Sequence, residues 1–160
     1  MSKKYYIAYG SNLSMAQMAT RCPDAIYVGI AEIEDYQLLF KGSQTGSYLT
    51  VEQKKGRKVP VLVWRISQRD EMNLDRYEGY PSFYYKKKLE LPIRGIKSGK
   101  IRNRKCFVYI MHEERSIGIP SLSYVKVCLE GYISFGFDEH FLAEAQLKTE
   151  EARYGKNRDC

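Results

Sequence analysis

The chain has 160 residues, of which 44% are hydrophobic and 13% aromatic, with a formal net charge of +7. That balance excludes a disordered segment and predicts one packed domain over residues 1–160. The longest run suited to continuous burial, Val59–Trp64, is far too short for a bilayer, and Lys3 and Lys4 introduce no apolar leader; a soluble, cytoplasmic protein with no membrane partner is expected.

In chain order, Ser2–Tyr9 alternates as a strand, with Tyr5, Ile7 and Tyr9 on one face and Tyr6 and Ala8 on the other. Gly10-Ser11-Asn12 breaks it. Ser14-Met15-Ala16-Gln17 fits a capping box opening a short helix to about Arg21, stopped by Pro23. Ala25–Glu34 and Tyr36–Lys41 read as strands, and Tyr48–Glu52 as a third after Gly42 and Gly46. Lys55-Gly56-Arg57 is predicted to be the hairpin turn into a strand over Val59–Ile66, with Pro60 near its start, where a missing donor is tolerable. Ser67 is the expected N-cap of a helix with Asp70 and Glu71 in its first turn, running to Tyr77 or Glu78 and stopped by Gly79 and Pro81.

Phe83–Pro92 and Lys105–Met111 are further strands, with Ser98-Gly99 as a hairpin tip. Ser121–Phe135 places Leu122, Val125, Leu129 and Tyr132 at helical spacing and ends at Gly136; Asp138 is expected to cap a last helix ending near Ala152, with 155–160 frayed. About seven short strands followed by two helices, with no repeated strand–helix alternation, argue against a doubly wound sheet. The fold class predicted is α+β, a small mostly antiparallel β-barrel with flanking short helices.

The four cysteines, Cys22, Cys106, Cys128 and Cys160, form no C-x-x-C pair and have no neighbouring His, so reduced thiols and no metal site are expected. The two histidines, His112 and His140, lie outside any motif, which disfavours a Ser-His-Asp triad. Gly10-Ser11-Asn12 is neither a Walker loop nor G-x-G-x-x-G. A strand turning through it into a helix does present free N–H groups to a carboxylate or oxyanion, although an ordinary capped turn fits the same letters. Glu78 is the second candidate. A glutamate in the last turn of a helix faces an unfavourable dipole, and Tyr77, Tyr80 and Tyr84 around it promise burial; both raise a carboxyl's pKa, as a general acid–base requires. An exposed helix-end glutamate fits that position too.

The basic residues gather at Lys86-Lys87-Lys88 and at Lys97, Lys100, Arg102, Arg104 and Lys105. They are a solvated surface or, alternatively, a module that binds nucleic acid or another polyanion through Lys97–Lys105. No nucleic-acid motif accompanies them.

Taken together, Tyr9-Gly10-Ser11-Asn12-Leu13, the run Leu74 to Tyr84 (LDRYEGYPSFY) and the run Ile119 to Tyr132 (IPSLSYVKVCLEGY) resemble the gamma-glutamylcyclotransferase family, the AIG2-like group, from about Tyr5 to Ala145. Phe40-Lys41-Gly42, Val59-Pro60-Val61 and Phe107–Met111 are intermediate marks, and the likeness is to compact bacterial members. The resemblance implies a small barrel with flanking helices and a lyase-type, cofactor-independent enzyme that cleaves gamma-glutamyl amides to 5-oxoproline and an amine. By matching motifs it implies substrate contacts at Tyr9, Gly10, Ser11, Asn12 and Leu13, an essential carboxylate at Glu78, and pocket tyrosines at Tyr84 and Tyr124. The leaving group (amino acid, glutathione, lysine amide or antibiotic precursor) and the oligomeric state stay open.

Overall fold

The computed structural model describes residues 3–43 and 46–158. Its elements are β1 (Lys4–Ala8), a 3-10 turn (Ser11–Leu13), α1 (Met15–Arg21), β2 (Ile26–Ser43), β3 (Gly46–Ile66), α2 (Gln68–Glu78), β4 (Tyr84–Gly95), β5 (Ile101–Met111), β6 (Ser116–Ile117), α3 (Leu122–Ser134) and α4 (His140–Arg158). The strands run β3-β1-β5-β4-β2, and β2 pairs again with β3 to close a five-stranded barrel; only β1–β5 is parallel. Closure leaves few free edges, and the small β6 pairs with β2 outside the ring. Among the described residues no helix is long and apolar enough to cross a membrane.

The predicted turn at Lys55-Gly56-Arg57 is a correction. The two predicted strands on either side of it do not pair with each other: 46–53 pairs with 36–43, and 58–65 with 26–34, all on β2. The residues between them form a bulge opposite Asp35 in one long bent strand. Gly56 has φ +83° and donates its N–H to Asp35 Oδ1 at 2.9 Å, while Asp35 itself has φ +61°. A bulge and a tight turn both need a residue at positive φ, so the local letters do not separate them. The bend turns the distal β2–β3 arm over the end of the barrel, where Thr50 Oγ1 accepts the Met111 N–H at 2.9 Å. That arm is well anchored: Leu38, Phe40, Leu49 and Val51 are all buried. The hairpin predicted around Ser98-Gly99 is present, with Gly99 at φ +68° joining β4 to β5.

Both faces of β1 are covered: Tyr6, Ile7, Ala8 and Tyr9 are all buried, so its alternation marks two interiors rather than one. Ser14 caps α1 by accepting the Gln17 N–H at 3.2 Å, but the expected return bond is missing, and the buried Gln17 Oε1 has no partner. α2 has the complete box. Ser67 Oγ accepts the Asp70 N–H and Asp70 accepts the Ser67 N–H, each at 3.2 Å. Fully buried Leu74 seats α2 on the barrel, worth about 2 kcal/mol. Along its flank, Lys86 bonds Glu71 at 2.7 Å and Asp75 at 2.8 Å, and Lys4 bonds Glu71 at 3.0 Å. Burial works against the charge on Glu71, yet these two lysines hold its carboxyl below the ordinary range.

α3 is capped by Ser121 and buries Cys128 and Tyr132, but Leu122 is 86% exposed and belongs to no core. Asp138 caps the entry of α4, accepting the His140 N–H at 2.9 Å. α4 runs on past the expected end near Ala152 to Arg158; Asp159 and Cys160 of the predicted frayed tail, and Ser2 of the predicted first strand, lie outside the described residues.

Candidate functional site

Where β1 ends, the chain turns through Gly10 into the 3-10 turn, and this turn faces the last turn of α2 across a cavity of about 390 Å³. Tyr9, Gly10, Ser11, Asn12, Glu78, Tyr84 and Tyr124 all line it, so residues far apart in the chain converge on one space. Leu13 does not. Its side chain is fully buried against Gly131 of α3, and its N–H is spent on Gly10 O at 3.0 Å. Leu13 therefore stands outside the cavity lining and pins the turn from below.

The turn presents its backbone. Leu13 and Ser14 N–H groups are satisfied by Gly10 O and Ser11 O, whereas among the described residues no acceptor meets the N–H groups of Gly10, Ser11 or Asn12. Asn12 is held on every side: its Nδ2 donates to Tyr6 Oη at 2.9 Å, its Oδ1 accepts from Arg21 at 2.5 Å, and its carbonyl accepts the Trp64 Nε1–H at 3.0 Å. Gly10 lies at a close approach, where a Cβ would sit 3.3 Å from Leu49 Cδ1 and from Tyr124 Oη and press on both.

Glu78 is the last residue of α2, and a Schellman closure follows it. Tyr80 N–H bonds Asp75 O at 2.9 Å, Gly79 N–H bonds Arg76 O at 3.2 Å, and Gly79 adopts φ +63°. The next peptide, Tyr80–Pro81, is cis. This closure sends the chain away and leaves the Glu78 side chain facing the cavity. Among the described residues its carboxyl makes no hydrogen bond or ion pair, and desolvation by burial, opposed in part by Arg21, pushes it up to about 8. It can therefore take up and release a proton near neutral pH.

Three tyrosines surround it in fixed poses. Tyr9 Oη donates to Tyr109 O at 2.7 Å, Tyr84 Oη donates to Leu49 O at 2.9 Å, and Tyr124 Oη accepts the Leu49 N–H at 3.0 Å beside the Cys128 thiol. Burial raises all three phenols well above their ordinary range, so they stay neutral. Of the tyrosines expected around Glu78, Tyr77 and Tyr84 line the cavity and Tyr80 is exposed outside it; the sequence reading missed several other walls, Tyr6, Tyr48, Leu49, Phe83 and Tyr109. Tyr109 donates to Asp75 Oδ1 at 2.5 Å, tying the wall to α2. A signal for Tyr6 and Tyr109 existed in their positions within strongly apolar strands; Leu49 gave none, because its contribution is its backbone.

The remaining residues weighed for function lie elsewhere. His112 Nε2 contacts Pro81 O at 2.7 Å, His140 pairs with Glu144 at 2.6 Å, and neither lines the cavity. Lys97, Lys100, Arg102 and Lys105 are exposed around the β4–β5 hairpin, away from the cavity lining. Cys22, Cys106 and Cys128 are buried and unpaired.

A family model described as gamma-glutamyl cyclotransferase, AIG2-like, matches residues 6–126. A gamma-glutamylcyclotransferase of Bos taurus is 31% identical over 134 residues, covering 79% of this chain and 68% of its own length. One of Mus musculus is 29% identical over 153 residues, covering 91% and 78%. A solved structure of a gamma-glutamyl cyclotransferase superposes with TM-score 0.77 at 25% identity, covering 91% of this chain and 87% of its own. With the closed barrel, the match spanning both halves of the cavity and these relatives, the chain belongs to the gamma-glutamyl cyclotransferase, AIG2-like family.

Proposed function

We propose that the cavity at Glu78 is the catalytic centre of this gamma-glutamylcyclotransferase, where a gamma-glutamyl amide closes on itself to 5-oxoproline and releases an amine. The observation that carries the proposal is the unpartnered Glu78 carboxyl, pushed up to about 8, facing the open N–H groups of Gly10, Ser11 and Asn12 across one cavity. The substrate's α-carboxylate lies on those N–H groups. Its α-ammonium must lose a proton before nitrogen can attack the γ-carbonyl, and ionised Glu78 accepts it; an α-amino group titrates near about 8, so the transfer is nearly balanced.

Attack forms the new C–N bond of the five-membered ring and raises negative charge on the γ-oxygen. Tyr124, whose oxygen already accepts from Leu49, directs its own hydrogen to the substrate, and Tyr84 and Tyr9 hold the glutamyl chain folded. Protonated Glu78 then delivers its proton to the departing nitrogen as the old amide bond breaks, and the carboxylate so freed takes the second proton from the ring nitrogen and passes it to the released amine, which leaves as an ammonium beside a neutral lactam. No water is consumed. Because both reacting groups belong to one molecule, holding the chain folded supplies several kcal/mol, on the order of what intramolecular reactions gain. Ser11 is a loop residue here, since the substrate brings the nucleophile.

The test is a panel of gamma-glutamyl amino acids, amines and peptides incubated with the protein, with 5-oxoproline, free amine and glutamate all quantified. Cyclisation predicts 5-oxoproline and amine in equal amounts. Free glutamate in place of 5-oxoproline, or no turnover of any member, rejects it.

A further inference from the structure

We propose that Arg21 is a positioning residue that ties the substrate-holding turn to the last turn of α2, fixing where the Glu78 carboxyl stands relative to that turn; this rests on the function proposed above. Arg21 ends α1, and its guanidinium makes two unlike contacts. Nη1 donates to Asn12 Oδ1 at 2.5 Å, and the guanidinium carbon sits 3.4 Å from the centroid of the Tyr77 ring. Asn12 belongs to the 3-10 turn; Tyr77 immediately precedes Glu78. One planar group thus spans the two halves of the site, hydrogen-bonded to one and stacked on the other.

Each anchor is itself fixed. Asn12 is held by Tyr6 and Trp64, and the Arg21 carbonyl accepts from Asn73 Nδ2 of α2 at 3.0 Å, so α1 and α2 are joined there twice. Among the described residues the guanidinium makes no salt bridge. Its charge is therefore not cancelled by a carboxylate in contact with it, and it acts on Glu78 from beside the neighbouring Tyr77 ring.

The other groups that face Glu78 are Tyr6 of β1, Tyr9 just after it, Tyr84 of β4, Tyr109 of β5 and Tyr124 of α3. Burial raises all of these phenols, so none carries charge at working pH. Arg76 of α2 itself lines the same cavity but sits on the exposed side of the helix. Arg21 is the cation that opposes the desolvation of Glu78. Positioning and charge are separable, because lysine keeps the second and loses the planar stack and the fork.

The experiment measures kcat/KM for 5-oxoproline release against pH in wild type, Arg21→Gln, Arg21→Lys and Glu78→Gln. The substrate is whichever member of the gamma-glutamyl panel wild type turns over fastest, so its own amine titration cancels between variants. Arg21→Gln is expected to lower kcat/KM about 10- to 100-fold and to move the acid limb about one pH unit upward. Arg21→Lys is expected to lower kcat/KM while leaving the limb near that of wild type. An unchanged rate in Arg21→Gln, an unmoved limb in that variant, or a limb in Arg21→Lys displaced as far as in Arg21→Gln each overturns the proposal. Should Arg21→Gln fail to fold, Arg21→Lys decides: a lowered kcat/KM with an unmoved limb supports the proposal, and a wild-type rate or an upward-displaced limb overturns it. If Glu78→Gln is as active as wild type, the function reading fails; if Glu78→Gln is inactive while both Arg21 variants match wild type, only this inference fails.

Discussion

Replacing Glu78 by Gln removes a proton-binding group without changing its shape, and stability should report it independently of any assay of turnover. Burial pushes this carboxyl from 4.5 to about 8, so between those values the folded protein holds a proton that the unfolded chain has released. The sign follows: raising pH through that window costs the folded state, the reverse of what a salt-bridged carboxylate does. Linkage fixes the slope at about 1.4 kcal/mol per pH unit, and the shift sets only how far the window extends. Gln titrates nowhere. The stability advantage of Glu78→Gln over wild type should therefore grow by about 2.5 kcal/mol between pH 5 and pH 7 and level off above about pH 8.5. Urea melts of both proteins at unit pH intervals measure it, and all other titrations cancel in the difference. A gap constant within about 0.5 kcal/mol from pH 5 to pH 8 would refute the claim that folding raises this carboxyl.

Three further outcomes follow from particular contacts. Tyr124→Phe strands the Leu49 N–H that now bonds its oxygen, and should cost about 1–2 kcal/mol in denaturant melts along with reduced turnover; unchanged stability would mean that this bond contributes nothing. Gly10→Ala sets a methyl 3.3 Å from Tyr124 Oη and Leu49 Cδ1, so KM should rise severalfold with a stability loss of about 1 kcal/mol or less, read from steady-state kinetics and melts together. Ser67→Ala removes the α2 cap and leaves the Asp70 N–H without its acceptor, costing about 1 kcal/mol without displacing the pH profile of activity; a displaced profile would mean that the cap reaches the site.

Much of the site was readable because its two halves are local. Gly10-Ser11-Asn12 after an apolar strand, and Glu78 ahead of Gly79 at a helix end, are each set by neighbours within a few residues. The barrel was readable as a class, from strand lengths and the lack of alternation with helices. What escaped depends on register. Gly56 looked like a turn because positive φ serves bulges equally well, and only the pairing of both halves of β3 with β2 tells them apart. That bend carries Leu49 to the cavity, where its backbone orients Tyr84 and Tyr124, a role no side-chain pattern announces. The motif places Leu13 beside the turn but does not show that its side chain fills the core under α3, as a leucine closing a tight turn gains by doing. Arg21 was read as the end of a helix; its link to Asn12 and Tyr77 is a property of how α1 and α2 meet.

The central claim is that Glu78 moves the proton in both directions during cyclisation. Its most direct test is 5-oxoproline formation by wild type and Glu78→Gln, side by side, on one gamma-glutamyl substrate at pH 8, with melts showing both folded. The account predicts a loss of at least about a thousandfold in kcat, within the range that general acid–base groups supply. Activity within about tenfold of wild type would contradict it.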